Sequence, residues 1–262
     1  GCARFIENLL RHKIEVYRCG RTLDKNGVTY TPEDSYFVPA RQKEYRIVRA
    51  LFESAKTFSD TVFYDISTWV MPMAFNLSYT PLVNAEAAGI KGEQVKAAPF
   101  PEGTVYGTEK DYAWLFEWHD TYAPKALYML QSAGAVTRVA MAPFTALLSD
   151  GKKKSFSYGT IMVQHGERPF SENGNIKTLL EVAEECGITM YGVSTGLTPS
   201  GIDLGSGGFT VLSRPSVMLV VDEGTPSDDA GEIWHLLDTR YCMPVTLVSP
   251  SRIGSANLSK YN

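Results

Sequence analysis

Apolar positions along this chain keep two rhythms, one near four and one of two. Residues 3–11 repeat at four, Phe5 with Leu9 and Ile6 with Leu10, which predicts a helix. Ile14-Glu-Val-Tyr-Arg18 alternates as a strand. Lys25-Asn-Gly27 is a hairpin signal leading into Val28-Thr-Tyr30. Ser35-Tyr-Phe-Val38 reads as another short strand. Residues 42–55 form a helical stripe of Tyr45, Val48, Leu51 and Phe52. Asp60-Thr-Val-Phe-Tyr64 reads as strand, and Ser67 caps a short helix that reaches Phe75, with Pro72 bending or ending it.

From Tyr112 the rhythm changes to strands separated by longer helices. Tyr112–Phe116, Val136–Ala140, Tyr158–Val163 and Ile188–Val193 read as strands. Helices are expected over 122–133, with Pro124 in the first turn and Gly134 as the stop, and over 175–186, stopped by Gly187. Pro215-Ser-Val-Met-Leu-Val-Val-Asp222 then opens a strand–helix–strand unit. Thr225 and Pro226 start its helix, Ile233, Leu236 and Leu237 form one apolar face, and Cys242–Ser249 is the second strand. Three such units in a row predict an α/β fold with an open, doubly wound parallel sheet of the flavodoxin kind, about six strands wide. The expected layout is an α+β domain over 1–83, a linker rich in Ala, Gly, Lys, Glu and Pro over 84–108, and the parallel-sheet domain over 109–262.

With 44% hydrophobic and 21% charged residues the chain has the makings of a core. Net charge is −4, and no basic run exceeds Lys152-Lys-Lys154, so nucleic acid is an unsuitable partner. No apolar run is long enough for a membrane span, and residues 1–12 carry charges throughout, unlike a signal peptide. Gly1 in front of a sequence with mid-helix character suggests a piece of something longer. Cys2, Cys19, Cys186 and Cys242 show no paired spacing, so free thiols are expected.

Several motifs carry candidate chemistry. His12-Lys-Ile-Glu15 with His119 imitates a zinc-ligand pattern, but His12 ends a helix and Glu15 lies in the strand after it, so no metal residue is assigned. Gly192-Val-Ser-Thr-Gly196 fits the nucleophile-elbow spacing, yet a glycine-rich loop follows where a helix is required. Gly205–Gly208 opens no helix. Glu223-Gly-Thr225 does open one, but Asp222, Glu223, Asp228 and Asp229 crowd it and repel phosphate. Glu117-Trp-His-Asp120 puts acids, an imidazole and an indole at one strand exit. If all strands ran parallel, Glu117, Trp118, His119, Ser194, Thr195, Asp222 and Thr225 would line one edge. Its negative charge would suit a neutral or cationic small molecule or peptide.

Longer phrases add a resemblance. Phe63-Tyr-Asp-Ile-Ser-Thr-Trp69 with Pro72-Met-Ala-Phe-Asn-Leu77, Tyr122-Ala-Pro-Lys-Ala-Leu127, Val193-Ser-Thr-Gly-Leu197 with Asp203-Leu-Gly205, and Asp229–Asp238 resemble the non-catalytic region of large bacterial zinc carboxypeptidase-like proteins. That region is similar to class I glutamine amidotransferases, whose elbow would need cysteine in place of Ser194. The resemblance spans about residues 36–262 and includes no catalytic residue. It implies an accessory, structural or ligand-binding region whose partners are other domains of the same polypeptide. It also implies a periplasmic or extracellular parent, zinc only in a domain before Gly1, and family sequence continuing past Asn262. The alternative is a hydrolase using Ser194 or a Glu117/His119 acid–base pair.

Overall fold

The computed structural model describes residues 1–53, 70–166, 170 and 174–262. They divide into two compact units, Gly1–Pro101 and Glu102–Asn262. The boundary falls inside the stretch 84–108. That stretch supplies a strand to each unit.

The first unit contains α1 (Cys2–Arg11), β1 (Tyr17–Cys19), β2 (Leu23–Lys25), β3 (Val28–Tyr30), β4 (Tyr36–Phe37), α2 (Tyr45–Phe52), α3 (Met71–Ala74) and β5 (Lys91–Gln94). The repeat at four in α1 buries Phe5, Ile6 and Leu9 with Ile14, Val16 and Val48. β1 pairs antiparallel with β4 on one side and β5 on the other. β2 and β3 form the expected hairpin, with Asn26 and Gly27 at φ of 54° and 77°, the left-handed pair that matches strand twist. Pro72 sits in the first turn of α3, where its missing N–H costs nothing. The strand expected at Asp60–Tyr64 and the cap expected at Ser67 lie outside the described residues.

The second unit runs β6 (Thr104–Tyr106), β7 (Ala113–Phe116), α4 (Ala123–Ser132), β8 (Thr137–Ala140), β9 (Phe144–Leu147), β10 (Lys153–Phe156) and β11 (Ile161–Gln164). It continues through α5 (Asn175–Cys186), β12 (Thr189–Val193), β13 (Ser200–Gly201), β14 (Phe209–Val211), β15 (Val217–Val220), α6 (Ser227–Trp234), β16 (Val245–Val248) and α7 (Pro250–Ile253). Its main sheet has the order β14-β8-β11-β7-β12-β6. Here the expectation of a parallel sheet is corrected. Only β12 and β6 run parallel, and β7 pairs antiparallel with both its neighbours, β11 and β12. The fold is mixed α/β.

The central strand explains why its sequence imitated a parallel strand. All four residues of β7 are buried, and they alternate between two cores. Trp114 and Phe116 enter one core with Ala126 and Leu130 of α4 and Leu179 and Val182 of α5. Ala113 and Leu115 enter the other with Phe144, Ala146 and Phe156 from the second sheet, β10-β9-β13. An antiparallel sheet covered by helices on one face and strands on the other also needs a continuous apolar run.

The β15–α6–β16 unit forms as expected, with β15 and β16 parallel in the register Val217↔Val245 to Val220↔Val248. It stands apart as a two-stranded sheet and joins no other strand among the described residues. α6 continues from His235 to Arg240 as π-helix.

Candidate functional site

Antiparallel pairing decides where the candidate residues go. β7 and β12 run opposite ways, with Ala113 opposite Val193 and Leu115 opposite Tyr191. Ser194 and Thr195 therefore leave the sheet beside Tyr112, whereas Glu117, Trp118 and His119 leave at the other rim. The two rims are about 17 Å apart along β7, five residues at about 3.4 Å each. Asp222 and Thr225 follow β15, in a different sheet. The seven residues do not share one crevice, and the carboxylates that argued for a cationic guest do not collect at one edge.

At the Glu117 rim the acid is already paired. Glu117 makes a 3.0 Å ion pair with Lys154, whose ammonium lies 5.0 Å from the Phe156 ring and 4.9 Å from that of Tyr191. Trp118 and His119 are exposed. Asp120 makes no side-chain cap for α4, which starts after Tyr122. No hydrogen bond or ion pair joins Glu117 to His119 among the described residues, as an acid–base pair would need.

The Ser194 rim is more polar and better built. The Tyr112 N–H donates to the Val193 carbonyl at 2.7 Å, and the His165 N–H donates to the Tyr112 carbonyl at 3.2 Å. Asp111 is buried, its carboxylate accepting from the Thr108 N–H and from the Ser149 hydroxyl, both at 2.6 Å. Gly107 and Gly192 press against it: a Cβ at Gly192 would overlap the carboxylate, and one at Gly107 would stand 2.5 Å from Asp111 Oδ2 and 3.1 Å from Trp114 Nε1. Trp114 stacks on His165 with centroids 5.7 Å apart. Trp114 Nε1 and His165 Nδ1 are both buried without a hydrogen-bond partner among the described residues. The loop 194–208 closes over this rim, with Gly196 against the Tyr112 ring and the Leu204 N–H bonded to the Gly196 carbonyl at 2.9 Å. Thr195 Oγ1 accepts from the Leu197 N–H, and Asp203 Oδ1 accepts from the Thr198 N–H. No helix follows Ser194.

Comparison of the chain with protein-family models, with curated proteins and with solved structures finds no match. The reading of this site rests on its own chemistry.

That chemistry is structural. Asp111 spends its oxygens on Thr108 and Ser149, tying two loops to the rim of the sheet. Ser194 and His165 follow strands on either side of β7, and no hydrogen bond joins their side chains among the described residues. Sequence reasoning passed over Asp111, Ser149 and Trp114. The one hint was the polar run Thr108–Asp111 directly before a fully apolar strand, which marks a turn but names no partner.

Other candidates fare similarly. The Glu15 carboxylate accepts from the Tyr17 hydroxyl at 2.7 Å. Among the described residues no cluster of three His, Cys, Asp or Glu side chains is placed to hold a metal ion, and no helix is long and apolar enough to cross a membrane. A shallow depression in the first unit is lined by Leu10, Ala97, Ala98 and Phe100, with Glu7 and Arg11 at its margin paired to each other at 2.8 Å.

Proposed function

We propose that this chain is an accessory, non-catalytic α/β region of a bacterial zinc carboxypeptidase-like protein, and that it works by docking other domains of the same polypeptide. The observation that carries the reading is the state of residues 213–262. Ala230 and Met243 are their only buried hydrophobic residues. By register, Val217, Leu219, Val245 and Leu247 share one face of the β15–β16 sheet, and Met218, Val220, Thr246 and Val248 share the other. Both faces are therefore apolar. α6 packs against β15, but one helix covers only one face. Parallel sheets are ordinarily buried on both faces, and a pair of strands is too small to stand alone. Leu247, Ile233, Trp234 and Leu236 remain between 40% and 51% exposed. This is a surface prepared for more polypeptide.

Of the phrases of the resemblance, Asp229–Asp238 falls on this unit and Val193–Leu197 with Asp203–Gly205 on the loop over Tyr112, while the others fall elsewhere in the chain. Zinc, if the parent holds it, belongs to another domain, and a location outside the cytoplasm follows the same resemblance. The hydrolase alternative is weakened by the Lys154 pairing of Glu117 and by the loop that follows Ser194 where a nucleophile elbow needs a helix.

Two measurements test the proposal. In the isolated chain Leu247→Lys should change stability by no more than about 0.5 kcal/mol, as surface substitutions do. A loss above about 2 kcal/mol would show that the face is already covered and would sink the docking role. A fluorophosphonate probe should leave Ser194 unmodified, and stoichiometric labelling there would establish the hydrolase instead.

A further inference from the structure

We infer that the outer edge of β15, not that of β16, accepts an additional β-strand, and that the strand is an extended, uncharged, aliphatic polypeptide segment. The inference rests on the docking role proposed above and names the partner's chemistry.

Neither strand of the pair has a second neighbour among the described residues, so each presents an open edge. The two edges are built differently. β16 is preceded by Pro244 and followed by Pro250, with only Ser249 between the strand and the second proline. Proline has no N–H to give a ladder, and short strands bracketed by it are a common protection against unwanted pairing. β16 is a terminated edge.

Just before β15, Ser216 already holds one backbone hydrogen bond from an extended segment. The Asn262 N–H donates to the Ser216 carbonyl at 3.2 Å, and the Ser216 N–H donates to the Asn262 side-chain oxygen at 2.8 Å. Tyr261, just before, is extended at φ −116° and ψ 150°. Backbone groups alternate in direction along a strand. The Val221 N–H bonds the Val248 carbonyl at 2.9 Å, so residues 217, 219 and 221 turn their backbone groups toward β16. Ser216, Met218 and Val220 turn theirs outward, to the side where Asn262 sits. The rung at Ser216 is therefore in phase with two further positions, Met218 and Val220, whose amides have no strand to bond.

The side chains state what would fit. Val217-Met-Leu-Val220 contains no charge, and neither does Val245-Thr-Leu-Val248. A charged neighbour would be held beside aliphatic side chains on both faces, whereas aliphatic and β-branched neighbours gain from cross-strand contact. Carboxylates appear only beyond the strand, at Asp222 and Glu223.

The test extends the full chain after Asn262 by Thr-Val-Thr-Val-Thr and reads hydrogen–deuterium exchange at single amides. Met218 and Val220 should exchange at least tenfold more slowly than in the unextended chain, while Val245 and Leu247, the outward amides of β16, should not change. A control extension, Thr-Pro-Thr-Pro-Thr, should give no protection. Slowing at Val245 and Leu247 instead, or at none of the four, overturns the assignment of the edge. Sedimentation of the unextended chain supplies the other arm. A dimer whose Met218 and Val220 amides are already protected would make a second copy the occupant and overturn the stated partner. None of these outcomes bears on Leu247→Lys, so the docking role can fail or survive separately.

Discussion

Gly192→Ala is the substitution whose effect the structure defines best. Gly192 lies on β12 with its Cα against Asp111 and Gly107. An added Cβ would collide with Asp111 Oδ2 and stand 2.9 Å from both Asp111 Cγ and Gly107 Cα. Gly107 cannot retreat freely, because the adjoining β6 is paired to β12 through Tyr106 and Tyr191. Asp111 must move instead, and it is held by Thr108 and Ser149 at 2.6 Å each. Hydrogen bonds to a charged group contribute about 1.5–3 kcal/mol each. Losing one and straining the other puts the cost at about 3–5 kcal/mol, in the range reserved for broken buried networks. For a unit of this size that lowers Tm by about 6–20 °C. Urea unfolding followed by tryptophan fluorescence is a suitable assay, since Trp114, Trp118 and Trp234 all lie in the second unit. Asp111→Ala removes the obstacle together with both hydrogen bonds. In that background Gly192→Ala keeps only its conflict with Gly107, and its cost should fall by about half, a coupling of at least about 1.5 kcal/mol. Equal costs in the two backgrounds would refute the role given to Asp111.

Three further outcomes are expected. A thiol reagent at pH 7 should modify exposed Cys242 first and Cys2 more slowly, with Cys19 and Cys186 reacting only after denaturation; burial pushes the Cys186 thiol up to about 12, so rapid modification there would contradict the packing of α5. Burial alone would lower the pKa of Lys125, but the 2.6 Å hydrogen bond to Glu185 and nearby thiol charge outweigh it and raise the net value. Because the folded pKa is raised, that contribution is complete below the unfolded value near about 10.4 and is lost as pH climbs through the folded one; Lys125→Met should flatten the alkaline limb of stability against pH, and an unchanged limb would count against the pair. Gly27→Ala forces a Cβ into φ of 77° and should destabilise the hairpin by about 1–2 kcal/mol, read as earlier urea unfolding of the first unit.

Local signals survived into the structure where the physics is local. Asn175–Cys186 is helical as expected, and Gly187 ends it at φ of 62°. Asn26-Gly27 makes its hairpin because two left-handed residues leave few alternatives. Strand direction was not legible. The run Ala113–Phe116 records burial on both faces and says nothing about which way its neighbours point. The covering strands are hidden by charge: Lys152-Lys-Lys154 reads as solvated loop, yet Leu147 and Ala146 hold Lys153 and Lys154 in a ladder. Every expectation about shared rims depended on direction, so Glu117 and Ser194 parted company once β7 and β12 were found antiparallel. The Asp111 network was hidden because Ser149 is 38 positions away.

The pairing of β6 with β12 has a bearing on synthesis. Thr104–Tyr106 bonds to Thr189–Tyr191 and to no other strand among the described residues. Roughly 80 residues lie between them, so a ribosome adding about 5–20 residues per second leaves β6 without its partner for about 4–16 s. β7 finds β11 sooner, but its second side waits for β12 as well. The β7–β12 junction inside the sheet thus closes late, and only the edge strand β14 joins after it. During that interval Trp114 and Phe116 are apolar surface on a nascent chain, which makes the second unit a natural client for chaperones that hold exposed hydrophobic segments.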